Sequence, residues 1–377
     1  MTRAILALLL VLSHVSVAAA AKRRAVRLPA APVAPAAIVT AANQAADAAL
    51  KAGVPAIQIA VSQRGEIIYS AAFGMTDPES ATAATARSVL RAGSITKQFT
   101  AAGILRLAER GKLSLDDRIE KYVPEFDPRG RTITLRHLLT HTSGVARDPY
   151  PPTITAAWPG ITAPFTREQS LESLNGKPFD FTPGSKWSYS NSGFLLLGYA
   201  IESITGRSYA EFIHSEFALP LGLIDTGVCG TSGLPLPEGY GLSPQGAWMR
   251  MPAPHTSVLL SAGTLCSTAS DLARWSHLLA TGRVMLPASY ATMTTAARLD
   301  NNTIVNSSYA LGVAVQNMLG LPAVWHSGAI DGFQSFLLYL PNQEIAVAVI
   351  SNAFPAPAGG NPQLIVTAVA KAALGTQ

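Results

Sequence analysis

The sequence predicts a mixed α/β (α+β) fold: one antiparallel sheet built from strands at both ends of the chain, flanked by helices, beside a mostly helical middle region. Three observations carry that expectation. β-rich runs bounded by turn residues occur at about 56–74 and again beyond 308. Helix-period patterns lie outside both sets, at about 37–52 and 362–374. Between them, residues 94–300 alternate helical patterns with Pro/Gly loops, without a repeat or an internal linker.

Taken in order, the chain begins like a secretory signal. Arg3 is followed by an apolar stretch, Ala4 to Val17, broken only by Ser13, His14 and Ser16, and then by the small residues Ala18 to Ala21. That stretch is short against the roughly 20 apolar residues of a membrane span. Residues 1–21 are therefore expected to be a signal peptide, and 22–36 a disordered Ala/Pro-rich leader. Residues 37–377 are expected to form one domain. No cysteine stands at the cleavage region, against a lipid anchor, so the mature protein is expected to be periplasmic or secreted, with no membrane association. Lys22, Arg23, Arg24 and Arg27 read as a solvated tail. With a net charge of +5 and no basic stripe interleaved with aromatics, nucleic-acid binding is excluded.

AIQIAVSQ and GEIIYSAAFG read as a hairpin turning at Arg64 and Gly65. Four strand candidates follow near the C-terminus: SYALGVAV, AVWHSGAI, FQSFLLYL and EIAVAVIS. The two cysteines, Cys229 and Cys266, are either two buried thiols or one disulfide, which an oxidising compartment permits. Their spacing does not choose between these.

The chemistry gathers in three short motifs. In GSITKQ (93–98), Ser94 precedes a helical run of Ile95, Phe99, Ala102, Leu105 and Ala108 that stops at Gly111. Residues i and i+3 share a helix face, which brings the Lys97 amine beside the Ser94 hydroxyl. A serine is a weak nucleophile until a base takes its proton, and a lysine serves only if its pKa is depressed. A helix N-terminus adds N–H groups suited to a developing oxyanion. In FTPGSKWSYSNSGF (181–194), Tyr189 and Asn191 stand between a Pro-Gly turn and a helical run. In VWHSGAIDGF (324–333), His326, Ser327 and Gly328 lie in a strand candidate, where glycine leaves room for close backbone approach. Each motif alone is weak.

Together, in this order, serine–x–x–lysine, tyrosine–x–asparagine and histidine–x–glycine resemble the serine β-lactamase and penicillin-binding-protein superfamily. The chain looks most similar to its class C β-lactamase, D-alanyl-D-alanine carboxypeptidase and esterase branch. GKLSLDDRIEKYVPEF, ITLRHLLTHTSG, SAGTLCSTASDLARW and YALGV fit the same texture, and the likeness spans about residues 40–375. The resemblance implies a serine hydrolase without cofactor or metal, acting on a small ester, amide or D-peptide through an acyl-enzyme. Ser94 would be the nucleophile, Lys97 its proton acceptor and Tyr189 a general base/acid. Asn191 would orient the substrate amide, and the N–H groups of Ser94 and Ala329 would form the oxyanion hole. His326 would bind a substrate carboxylate or tune the proton network, with Gly328 giving backbone clearance. Trp187, Tyr309 and Trp325 are candidate pocket lining.

The family's third motif commonly begins with lysine, a permanent cation. Histidine titrates near about 6.5 and makes a weaker carboxylate clamp. That turns the expectation from penicillin hydrolysis toward ester or D-amino-acid amide and peptide chemistry. The alternative function is a non-catalytic penicillin-binding-protein-like binder of cell-wall peptides. His137 and His141 have a zinc-like spacing, but the glutamate of a zinc-protease helix is absent, and Thr142 to Gly144 break the helix. They are read as a structural helix end. Asp116 and Asp117 are read as a turn and cap, and Asp271 as a helix-start carboxylate. The G-x-S-x-G elbow of α/β-hydrolases is missing.

Overall fold

Ile57, Ile59 and Val61 alternate with Gln58, Ala60 and Ser62, and all six are buried. A strand that hides both faces belongs in the middle of a covered sheet. The computed structural model, which describes residues 35–149, 162–242 and 247–375, places it there. The expected signal peptide and all but Pro35 and Ala36 of the expected leader lie outside the described residues.

The main sheet has seven strands: β1 (Ala56–Gln63), β2 (Glu66–Asp77), β3 (Thr82–Ala83), β4 (Ala314–Met318), β5 (Leu321–Ile330), β6 (Phe333–Leu340) and β7 (Ile345–Ser351). Their order is β3-β2-β1-β7-β6-β5-β4, every pair antiparallel. The two ends of the chain meet where Val61 pairs with Val347. Arg64 and Gly65 turn the first hairpin with φ of 52° and 82°, as a two-residue connection between right-twisted strands requires.

The helices that position the site are α1 (Ala36–Lys51), α2 (Thr96–Glu109), α3 (Leu135–Leu139), α4 (Asn191–Thr205), α5 (Ala269–Ala280) and α6 (Pro362–Leu374). The terminal pair, α1 and α6, covers one sheet face. Ile38, Ala42, Ala46, Val366 and Val369 pack there on Ile57, Ile59, Val347 and Val349. The other face carries small residues, Ala60, Ala346 and Ala348, and joins the larger core of the helical region. Small side chains let α5 come close enough for Ser62 Oγ to donate to the Ala273 carbonyl at 3.2 Å. Phe99 of α2 stacks on Trp275 of α5 with ring centroids 3.7 Å apart, which ties the nucleophile's helix into this core.

One strand is shorter than its sequence pattern. SYALGVAV was expected to be extended throughout, but β4 begins only at Ala314. Gly312 takes φ 74° and donates its N–H to Leu139 O, and a Cβ there would stand 2.7 Å from Lys97 O. The segment before Ala314 is thus a loop pressed onto α2. The cysteines form a disulfide, with Cα atoms 5.0 Å apart. The strand Leu265–Ser267 pairs with both Leu90–Arg91 and Gly227–Val228, which carries Cys266 beside Cys229.

Candidate active site

Ser94 lies in a 3₁₀ turn, Gly93–Ile95, that runs directly into α2. It is not a capping serine: no side chain caps this turn. Thr96 makes the local bonds instead, donating to Gly93 O at 2.6 Å and accepting from Leu265 N at 3.1 Å. The Ser94 hydroxyl is left half-buried beside Lys97.

Lys97 is fully buried. Its Nζ lies 2.7 Å from Ala262 O, 2.9 Å from Asn191 Oδ1 and 3.3 Å from Ser94 Oγ. Burial holds its pKa well below the ordinary lysine value; the nearby Arg147 adds to the depression and Asp148 opposes it. A neutral amine has two N–H donors and one lone pair. A backbone carbonyl and an amide oxygen can only accept, so they take the two donors. The lone pair then faces Ser94, whose hydroxyl can donate.

Tyr189 and Asn191 bracket a helix start. Ser190 caps α4 by accepting from Gly193 N at 3.1 Å, which leaves Tyr189 just before the helix and Asn191 on its first turn. Lys97 Nζ lies 4.7 Å from the centre of the Tyr189 ring. Burial raises the phenol's pKa, and hydrogen bonding to Ser94 pulls it partly back. At neutral pH Tyr189 is a phenol, not a phenolate. Asn191 joins two charged residues: Oδ1 accepts from Lys97, and Nδ2 donates one of its two N–H groups to Asp148 Oδ1 at 2.9 Å. Asn191 thus orients the lysine, and neither bond takes its second N–H.

The opposite wall is β5. Ser327 and Ala329 are exposed, whereas His326 and Gly328 point inward. A Cβ at Gly328 would lie 2.0 Å from Ala92 O, and one at Gly93 would lie 2.9 Å from Ala329 N. Glycine on both sides lets the strand backbone approach the serine turn, and Ala329 N comes beside Gly93. His326 Nδ1 lies 2.6 Å from Ser327 O, which can only accept, so Nδ1 carries the hydrogen. Nε2 therefore accepts from Tyr309 OH, at 2.8 Å. Burial, with a smaller contribution from Lys97, lowers the His326 pKa to about 3. Both ring nitrogens of His326 are thus in use, and burial disfavours a charge on the ring. It has no free donor to offer a carboxylate.

Of the lining candidates, Tyr309 and Trp187 pack around His141. Trp325 instead stacks on Phe336, with centroids 5.1 Å apart. Asp116 pairs with Arg136, Asp117 accepts from Ser114 N and Tyr122, and Asp271 accepts from Asp225 N and Thr226. None of the three touches the site. His137 caps α3 from within, and the helix ends at Leu139, so His141 does not share a helix face with it. Among the described residues no cluster of three or more His, Cys, Asp or Glu side chains is placed to hold a metal.

Two contributors had no sequence signal. Ala262 acts through its carbonyl, an atom every residue has. Asp148 stands in a loop with no periodicity to mark it.

The family model described as Beta-lactamase matches residues 36–370. The chain therefore belongs to the β-lactamase family, the class of serine hydrolases that the three motifs resemble. It is 27% identical over 322 residues to protein flp of Staphylococcus aureus, an alignment covering 80% of this chain and 60% of that protein. It thus spans well under the full length of that relative. Among solved structures, the octameric penicillin-binding protein homologue from Pyrococcus abyssi superposes with a TM-score of 0.79 at 27% identity, covering 90% of this chain and 78% of that one. A D-stereospecific amidohydrolase from Streptomyces sp. gives 0.74 at 29% identity, covering 90% and 99%.

Proposed function

We propose that this chain is an exported serine hydrolase that cleaves small esters or amides through a Ser94 acyl-enzyme. The observation that carries the reading is the set of three hydrogen bonds around Lys97, which leaves a neutral lysine's lone pair facing Ser94. Ser94 Oγ attacks the substrate carbonyl carbon and its proton passes to Lys97. The N–H groups of Ser94 and Ala329 receive the oxyanion. The carbon–leaving-group bond then breaks, and the leaving group takes a proton through Tyr189 and Lys97. Water adds to the acyl carbon, gives its proton to the same pair, and Ser94 leaves with its hydrogen restored. Tyr189 acts here as a relay, since its raised pKa keeps it protonated at rest.

The substrate class follows from the strand wall. Without a cation at His326, a substrate carboxylate gains no fixed counter-charge there, which favours uncharged esters and amides over penicillins or carboxylate-ended D-peptides. The amidohydrolase named above is consistent with this choice. Export is supported by the apolar N-terminal stretch and by the disulfide, which suits an oxidising compartment.

The test is intact-mass analysis of the mature protein mixed with p-nitrophenyl butyrate, a D-amino-acid amide or a fluorescent penicillin, beside Ser94→Ala. An adduct or turnover with the ester or amide, lost in the variant, supports the reading. Turnover that survives Ser94→Ala contradicts it. The binder alternative requires no Ser94-dependent adduct with any probe.

A further inference from the structure

His141 is wholly buried and takes no part in the chemistry above, yet it holds the Tyr189 segment from both sides. Its backbone carbonyl accepts from Ser188 N at 3.0 Å, and its ring Nδ1 accepts from Ser190 N at 3.2 Å. These are the residues immediately before and after Tyr189. Its ring lies 4.3 Å from the Tyr189 ring, between centroids, and 4.7 Å from that of Tyr309. Two features fit a dedicated role. His141 adopts φ 60°, a left-handed conformation uncommon for a residue with a side chain, which turns the chain so that carbonyl and ring both reach the 188–190 segment. Its Nε2 is buried without a hydrogen-bond partner. With Nδ1 accepting, Nε2 must carry the hydrogen, so the ring keeps an unpaired donor in order to offer Nδ1 to Ser190. A buried unpaired donor is costly.

We propose that His141 is a positioning residue for Tyr189: its carbonyl and its Nδ1 clamp the backbone on either side of the tyrosine and hold the phenol against Ser94 and Lys97. The proposal rests on the acyl-enzyme reading, and it separates the two steps of the reaction. With a p-nitrophenyl ester the leaving group departs as a stable anion, so acylation needs little proton delivery. Deacylation needs Tyr189 to relay the proton of the attacking water. A misplaced Tyr189 therefore slows deacylation first.

The variants are His141→Gly, which suits the backbone angle and removes the ring acceptor, and His141→Asn, which also suits it and places an amide oxygen near the Nδ1 position. The readout is acyl-enzyme build-up and decay on p-nitrophenyl butyrate, by burst kinetics and intact mass. His141→Gly is expected to slow deacylation by about 10- to 100-fold, a part of what a proton-transfer group contributes, and to accumulate the Ser94 adduct. His141→Asn is expected to recover most of the rate. In a Tyr189→Phe background His141→Gly should add little, because the two act as a unit. Wild-type deacylation in His141→Gly, or equal losses in both variants with melting temperatures unchanged, would overturn the proposal. The ¹⁵N-histidine spectrum of the wild-type protein tests it without substrate or folding risk: the Nε2–H tautomer is expected at His141, and a hydrogen on Nδ1 would refute it. If wild type forms an adduct and His141→Gly behaves as wild type, this inference fails alone. If wild type forms no Ser94 adduct, the acyl-enzyme reading fails and takes this role with it.

Discussion

Lys97 and His326 are both nitrogen bases buried in the same cleft, and burial lowers the pKa of each. Their hydrogen bonds make them different. Lys97 meets two obligate acceptors and one hydroxyl, so that its lone pair, once the amine is neutral, falls on the nucleophile. His326 meets one obligate acceptor and one hydroxyl, and its two ring nitrogens are used up. Burial alone therefore does not make a base. The number of partners that can only accept decides what is left for the substrate or nucleophile. The helical wall of the cleft supplies reactive side chains, and the strand wall supplies backbone and shape.

Removing the reactive base should give the largest effect. Lys97→Ala is expected to slow acylation of Ser94 by about 10²- to 10⁴-fold, the usual worth of a positioned proton acceptor. Lys97→Arg should not rescue it, since a guanidinium has no lone pair to offer. Stopped-flow acylation with p-nitrophenyl butyrate measures both, and near-wild-type rates in either would remove the lysine from the mechanism.

Asp148→Ala sharpens the contrast by changing what surrounds the lysine. Asp148 fixes the amide of Asn191 and raises the Lys97 pKa. The variant should lose about tenfold in acylation, in line with a lost hydrogen bond to a charged group. Its acid limb should move to lower pH, because the carboxylate that favoured the ammonium form is gone. A limb that moves upward would contradict the assigned electrostatics.

His326→Gln should do least. One buried neutral hydrogen bond is worth about fivefold in rate. The pH–rate profile above about pH 4 should keep its shape, because His326 is already neutral above its pKa of about 3. A new or lost limb near pH 6 in this variant would show that the ring titrates during catalysis.

The sheet at both ends of the chain was legible because its strands are rich in aliphatic and aromatic residues and bounded by turns. The serine–lysine pair was legible because i and i+3 meet on any helix. What escaped depends on atoms that do not vary with residue type, on backbone angles, or on a loop side chain such as Asp148 that no periodicity marks. The Ala262 carbonyl is such an atom. SYALGVAV has a strand's pattern, but Gly312 must bend against α2, so the strand starts late. His137 and His141 are at a helix end as expected, but α3 stops at Leu139, and the left-handed turn at His141 has no sequence signal. His326 was expected to be a weak, titrating clamp. Its surroundings, which no motif records, bury the ring and engage both its nitrogens.

The central claim is that Lys97 is a neutral base at physiological pH, and the pH dependence of Ser94 acylation tests it most directly. The rate with p-nitrophenyl butyrate would be followed in wild type and in Asp331→Asn, since burial pushes the Asp331 carboxyl up to about 7 and could place its own titration in the same range. The account predicts one acid limb, shared by both proteins, and a plateau reached well below the lysine reference value of about 10.4. A rate that climbs without a plateau to pH 10, or a limb that vanishes in Asp331→Asn, would contradict it.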